Sequence, residues 1–312
     1  MLNLMKNEVQ KQYRRPRTWV MYGLLLVIIV GLLALIKFDK PRENTTWQQT
    51  VQQQTTSYQE WVKDENSTQR QKDYYNKHIL INNYRLEHNI APPDKDLWGS
   101  VLDMAQMVIF IAILTSIVAA DIVAGEFSTG TIKLLLIRPS VRSKILLSKY
   151  LSVLLFSLTM LIVLFAGSFI VAGIFFGFGA SGAPFLAVSG GQVVERSMLV
   201  HALAEYGLNC VSLIMLVTVA FMISTVFRSS SFAIGLSVGL LFINQILVAL
   251  LGRYEWFRYY LFANTDLSVY LDGGTPLQAG MTMGFSIAVL VVYFVLMNLL
   301  SWTIFNKRDV AA

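Results

Sequence analysis

The chain has 312 residues and a net charge of +6; 55% of its residues are hydrophobic and only 14% are charged. A water-soluble domain carries about a quarter of its residues as charges, so this composition excludes an ordinary soluble globule and points to a membrane protein. The excess of basic residues then bears on which side of a bilayer they occupy, not on nucleic acid.

Residues 1–17 hold Lys6, Lys11, Arg14, Arg15 and Arg17 against the single acid Glu8. Leu2, Met5, Val9 and Tyr13 fall on one helical face, with Lys6 and Arg14 beside it. The pattern predicts an amphipathic helix in the cytoplasmic interface, apolar face down and cations on anionic headgroups. A plain topology signal is the alternative.

A bilayer core of ~30 Å takes about 20 apolar residues of helix. Six runs meet that length: 18–36, 101–123, 145–178, 208–227, 232–251 and 281–305. The first ends Leu35-Ile36-Lys37-Phe38 without a small-residue cleavage site, so it reads as a retained span and not as a signal peptide. Segment 37–98 carries nine basic and nine acidic residues and is rich in Gln and Asn. Trp47, Val51, Tyr58 and Trp61 recur at helical spacing; Asn66-Ser67 can cap a second helix, and Asn89 with Pro92-Pro93 can end it. A helical hairpin outside the membrane is predicted, with a loosely ordered linker as the alternative.

After the second span comes segment 124–144. Asp121, at the end of that span, is expected to be hydrated. Gly130 permits a bend, Thr131 to Ile137 forms a short apolar helix, Arg138-Pro139 breaks it, and Ser140 can cap the next helix. This helix is too short to span and too apolar for a bare loop, so it needs the membrane surface or another protein. The segment is basic, as are residues 1–17, Arg228 between the fourth and fifth spans, and Lys307 and Arg308 after the sixth. These alternate segments are therefore placed in the cytoplasm, which puts both termini there. Segments 37–98, 179–207 and 253–280 face outward; the last has two basic and three acidic residues and reads as an interfacial belt in which Arg253 and Arg258 pair with Glu255.

Gly173-x-x-x-Gly177 and Gly235-x-x-x-Gly239 allow close helix packing, within the chain or between copies. Asn244-Gln245, near the middle of the fifth span, calls for interhelical hydrogen bonds or lines a substrate path. The sequence has no GxxxxGK[ST] and no HExxH, one cysteine (Cys210), and three scattered histidines, His78, His88 and His201. An intramembrane enzyme would need a nucleophile–base pair, paired carboxylates or metal ligands in the spans, and none is visible. An ion-coupled carrier or channel is the alternative function; scarce ionisable residues near the midplane and no internal repeat weigh against it.

The run Glu126-x-x-x-Gly130-Thr131, then Leu-Leu-x-x-Pro139-x-x-Arg142, resembles the first cytoplasmic loop of ABC exporter permeases of the ABC-2 type. The ending Phe305-Asn306-Lys307-Arg308-Asp309-Val310 and an outer segment with Pro276 are similar to that family too. The resemblance implies an all-α polytopic membrane protein of six transmembrane helices, both termini cytoplasmic, with a short coupling helix between spans two and three. That helix would dock on the ATPase through Glu126, Gly130, Thr131, Leu134, Leu135, Arg138, Pro139 and Arg142. It also implies two copies of an ATP-binding subunit that hold ATP and Mg, a second permease copy, identical or homologous, and no cofactor or catalytic residue in this chain. Export of an amphipathic or hydrophobic substrate follows from the resemblance alone. The long segment 37–98 departs from the simplest members and leaves the cargo open.

Overall fold

The computed structural model describes residues 1–38, 46–65, 67–92, 96–132, 141–178, 184–271, 274 and 276–307. Leu134, Leu135, Arg138 and Pro139 of the expected coupling helix lie outside the described residues, as do Asp309 and Val310, and so does the side chain of Gln245. The helices are α1 Leu2–Tyr13, α2 Pro16–Phe38, α3 Trp47–Lys63, α4 Gln69–His88, α5 Leu97–Ala105, α6 Val108–Ser128, α7 Arg142–Phe176, α8 Met198–Val226, α9 Ser230–Leu251 and α10 Met283–Lys307. Strands β1 Phe185–Ser189 and β2 Gln192–Arg196 stand between α7 and α8.

Six helices, α2, α6, α7, α8, α9 and α10, are long and apolar enough to cross a membrane. Helices α6 and α8 are the most enclosed of them, and α9 and α10 the least. Pro16 begins α2, where its fixed φ suits a first turn and its missing N–H is no loss. Thr18, Met21, Leu25, Ile29 and Leu33 are the buried residues of α2, spaced every three or four positions, while Val20, Val27 and Leu35 lie exposed. That one-sided burial is what a lipid-facing peripheral span requires. The main core joins this stripe to α5, α6, α7 and α8 through Ile111, Val118, Phe156, Met160 and Val217.

Serine and threonine supply the polar ties between spans. Ser224 Oγ on α8 accepts from the N–H groups of Val123 (3.1 Å) and Ala124 (3.0 Å) and donates to Ala120 O (2.6 Å). The hydroxyl thus enters the backbone ladder of α6, a contact that fixes the axial register of the two helices. Tyr150 OH on α7 and Thr218 Oγ1 on α8 are 2.7 Å apart.

Helices α3 and α4 form the expected helical hairpin. Both open with a capping box, Thr46 with Gln49 and Thr68 with Gln71, so the second cap is Thr68 and not Asn66-Ser67. Asn89 ends α4 in the left-handed region at φ 54. Tyr58 stacks on Tyr75 with 5.7 Å between centroids, and Trp61 packs on the same ring at 5.2 Å.

The structure corrects several expectations. The chain is not all-α: β1 and β2 pair antiparallel from Phe185↔Arg196 to Ser189↔Gln192 across Gly190-Gly191, whose φ values of 59 and 80 suit the primed turns that match strand twist. The hairpin is held by Tyr84 OH on α4 donating to Glu195 (3.1 Å) and by Arg196 donating to Leu271 O (3.1 Å). The second run is not one helix; Gln106-Met107 turns the chain between α5 and α6. The 253–280 segment contains three short 3-10 helices, and Arg253 and Arg258 lie over the Tyr254 and Tyr259 rings at 5.0 and 4.9 Å, with no ion pair to Glu255 among the described residues. Among the described residues, neither glycine pair packs against another helix. Gly235 and Gly239 face open space, and Gly173 leaves room for the Phe178 ring, which turns back after Gly177 at φ 93.

Candidate functional site

The basic end of the bundle holds a side-chain cluster that charge counting along the sequence does not reveal. Helix α1 lies across α7 and reaches α6. Its inward face is polar: Glu8 and Gln12 are its buried residues, while Leu2 is exposed. Of the cations expected on headgroups, Lys11, Arg15 and Arg17 instead pair with Glu126 and Asp121 of the same chain. Heptad-like spacing places Glu8, Lys11, Gln12 and Arg15 on adjoining faces one turn apart.

Lys149, on the second turn of α7, is the centre. Its side chain has no solvent exposure, and its Nζ donates to Glu8 Oε2 at 3.0 Å and to Glu126 Oε1 at 2.7 Å. Lys11 Nζ reaches the same Glu126 oxygen at 2.5 Å. Two ammonium groups thus face two carboxylates and the cluster is neutral, which is the condition for keeping charges out of water. Gln12 Nε2 donates to Ser152 Oγ at 3.1 Å and extends the tie along α7. Glu126 Oε2 is buried and has no hydrogen-bond partner among the described residues.

A second group adjoins it. Asp121, one turn earlier on α6, accepts from Arg15 at 3.1 Å, from Arg17 at 2.6 Å and from Ser230 Oγ at 2.5 Å. It is mostly enclosed and paired, not hydrated as expected, and it joins the start of α2 to the start of α9. Between the two groups lies a cleft of about 530 Å³ lined by Glu8, Arg17, Asp121, Glu126, Thr129 and Thr131.

Among the expected coupling residues, Glu126 is 5% exposed and turned toward α1 and α7, not outward toward a docking partner. Gly130 has φ 71, and Thr131 is exposed at the cleft. Ile132, which sequence reasoning passed over, is buried in an apolar group with Val123, Leu146, Phe221 and Phe305. Arg142 donates to Asn306 O at 3.2 Å, and Ser143 pairs with the Asn306 side chain, so both ends of the segment touch the end of α10. Asn244 lies far from this group, on α9, with its Oδ1 buried and unpartnered among the described residues. Lys149 was readable as a charge within an apolar stretch, Ile145-Leu146-Leu147-Ser148-Lys149-Tyr150-Leu151, and Glu8 as the one acid in a basic segment. Their pairing was not readable, because 141 positions separate them.

A family model described as "Protein of unknown function (DUF2705)" matches residues 74–311. The chain is 44% identical over 317 aligned residues, covering 100% of both chains, to "Uncharacterized protein YhcI" of Bacillus subtilis (strain 168). It is 32% identical to "Uncharacterized membrane protein YdbK" of the same organism over 222 residues, 70% of this chain and 86% of that one. With six membrane-length helices and a relative named as a membrane protein, the chain is a multi-pass membrane protein.

Proposed function

The chain belongs to the DUF2705 family, and from that premise we propose that it is the membrane-spanning half of an ATP-driven exporter in the cell membrane, with the basic end cytoplasmic and ATP hydrolysed by a separate subunit. The resemblance to ABC-2-type permeases motivates the reading. The observation that carries it is the Lys149–Glu126–Lys11–Glu8 cluster, which joins an amphipathic terminal helix, a span end and the following span into one unit beside the 124–144 segment. A soluble motor pushing on that segment would move α1, α6 and α7 together, because breaking the cluster means stranding charge away from water. Glu126 and Ile132 serve here as the inner anchors of the segment, and Thr131, exposed at the cleft, stands on its contact surface. The assembly proposed is two such chains, identical or homologous, with two ATP-binding subunits.

A second reading has a specific support. A fully buried lysine between two carboxylates near the end of a span is a group that ion-coupled carriers use. One experiment separates the two. Tagged chain is solubilised from native membranes, captured and assayed for ATP hydrolysis. A co-purified P-loop ATPase, lost when residues 131–138 are replaced by a Gly/Ser linker, supports the exporter. A chain that emerges alone, hydrolyses nothing and transports in liposomes on an ion gradient overturns it in favour of the carrier.

A further inference from the structure

At the opposite end of the bundle, three cavities run into one another. The largest, about 960 Å³, lies beneath the helical hairpin and is lined by Tyr74, His78, Asp103, Phe185 and Glu205. A second, about 240 Å³, shares Gln106, Glu205 and Ser268 with it and continues to Asn209, Ser212 and Asn244. A third, about 230 Å³, shares Asn244, Phe262, Thr265 and Asp266 with the second. The shared walls make one path from a broad mouth to the face of α9.

The walls of this path have a definite chemistry. One side is apolar and aromatic, with Phe185 and Tyr74 at the mouth and Ile109, Leu216 and Phe262 deeper in. The charges on the other side are one-signed beyond the mouth. Lys77 lines only the outer cavity, whereas Glu205 lines the outer and second and Asp266 the second and third, and no Lys or Arg occurs among the described lining residues of the inner two. Asn244 adds an oxygen that is buried without a donor, and a buried acceptor of that kind calls for one. The turn at Gln106-Met107 lies in the same wall. That turn stands just before the membrane-length helix that starts at Val108, so the cavity wall there is made where a span begins.

We propose that this path binds an amphipathic organic cation, its apolar body against Phe185 and Phe262 and its ammonium or guanidinium group between Glu205 and Asp266, donating to Asn244 Oδ1. Only in calling that cation the cargo does the inference rest on the transport reading; the binding claim stands on the cavities themselves. Anions are repelled by the inner carboxylates, and a neutral apolar molecule leaves Asn244 without its donor.

The test uses full-length chain in lipid nanodiscs, without ATP or any ATPase. The probe is dansylcadaverine, a primary ammonium on an apolar fluorophore, and its N-acetylated form is the neutral control. Saturable binding of the cation is expected, with the neutral form, Glu205→Gln and Asn244→Ala each weakening it by about tenfold or more, as removal of one partner of a desolvated charged contact does, and Asp266→Asn weakening it by a smaller, measurable factor because that carboxylate is screened by water. Asp266 is exposed, so Asp266→Asn remains informative where Glu205→Gln fails to fold; gel filtration and thermal unfolding check both. Equal binding of cation and acetylated form, or undiminished binding by folded Asp266→Asn and Asn244→Ala, overturns the proposal, as does no binding at all. A bound cation with no co-purifying ATPase keeps the site and removes the exporter. An ATPase partner with no bound cation does the reverse.

Discussion

Replacing Lys149 with methionine removes one of two cations from a neutral four-charge cluster while keeping the volume of the side chain. Glu126 retains Lys11, but Glu8 loses the ammonium 3.0 Å away, and the side chain of Glu8 is only 12% exposed. Removing one partner of a buried ion pair costs about 3–5 kcal/mol, chiefly because a charge is stranded, against a whole-domain stability of about 5–15 kcal/mol. Helix α1 should therefore lift from α7 before the bundle unfolds. Limited trypsinolysis at Lys6 and Lys11 reads the lifting, and thermal unfolding in nanodiscs reads the bundle. The second variant sharpens the reasoning: Glu8→Gln combined with Lys149→Met removes the stranded charge and should restore most of the protection. Wild-type trypsin resistance in Lys149→Met alone would show that α1 does not rest on this cluster. A double variant as labile as the single would show that the cost is one of packing and not of charge.

Two further expectations concern other parts of the molecule. A Cβ at Gly125 would stand 2.5 Å from Asp121 Oδ1, so Gly125→Ala should push the carboxylate off Ser230 and Arg17. A loss of about 1–3 kcal/mol is expected, as for other overpacked sites; it should largely vanish in an Asp121→Ala background, and thermal unfolding of the wild type and the three variants decides it. In the α3–α4 hairpin, burial first, then Lys77 and Arg85, hold the His78 imidazole below its ordinary 6.5, with Tyr58 and Tyr74 against its ring. The folded hairpin thus binds fewer protons than the unfolded one. The contribution is intact above pH 6.5 and is lost as pH falls from there through the depressed folded value. Trp61 fluorescence against pH should show that loss, and His78→Asn should remove it.

The spans were legible because hydropathy along a helix reports directly whether its surroundings are lipid or water, and that signal is local. The helical hairpin was legible for a similar reason: caps and aromatic spacing act within a few residues, and Asn89 ends α4 where the sequence placed the stop. The β-hairpin carried its own local signal, Gly190-Gly191 between Val188 and Val193-Val194, but the helical reading of the remainder masked it. The ionic cluster was not legible in the same way. Glu8 looks like a minor exception in a basic segment until α7 carries Lys149 underneath it, and Asp121 looks solvent-facing until Arg15 and Arg17 arrive from a different helix. Helix α1 was read by its apolar residues, yet its polar side is the one that is buried, because the surface it meets already contains charge. Asn244 was singled out by its cost in an apolar span, and whether that cost is met by a neighbour or by a cavity depends on the position of α8, which no local pattern encodes.

The ion pairs of α1 have a consequence for how the chain is made. Lys11, Arg15 and Arg17 emerge from the ribosome well before Asp121, Glu126 and Lys149, so the insertion machinery meets an unshielded cationic segment at the moment when the orientation of the first span is chosen. Only after α6 and α7 are made do the carboxylates meet those cations and neutralise them. A segment that is unpaired and cationic in the nascent chain is in this way taken up as a fastener of the finished protein. A basic-to-neutral change within it would be felt twice, first as a mixed population of orientations and later as a loosened terminal helix.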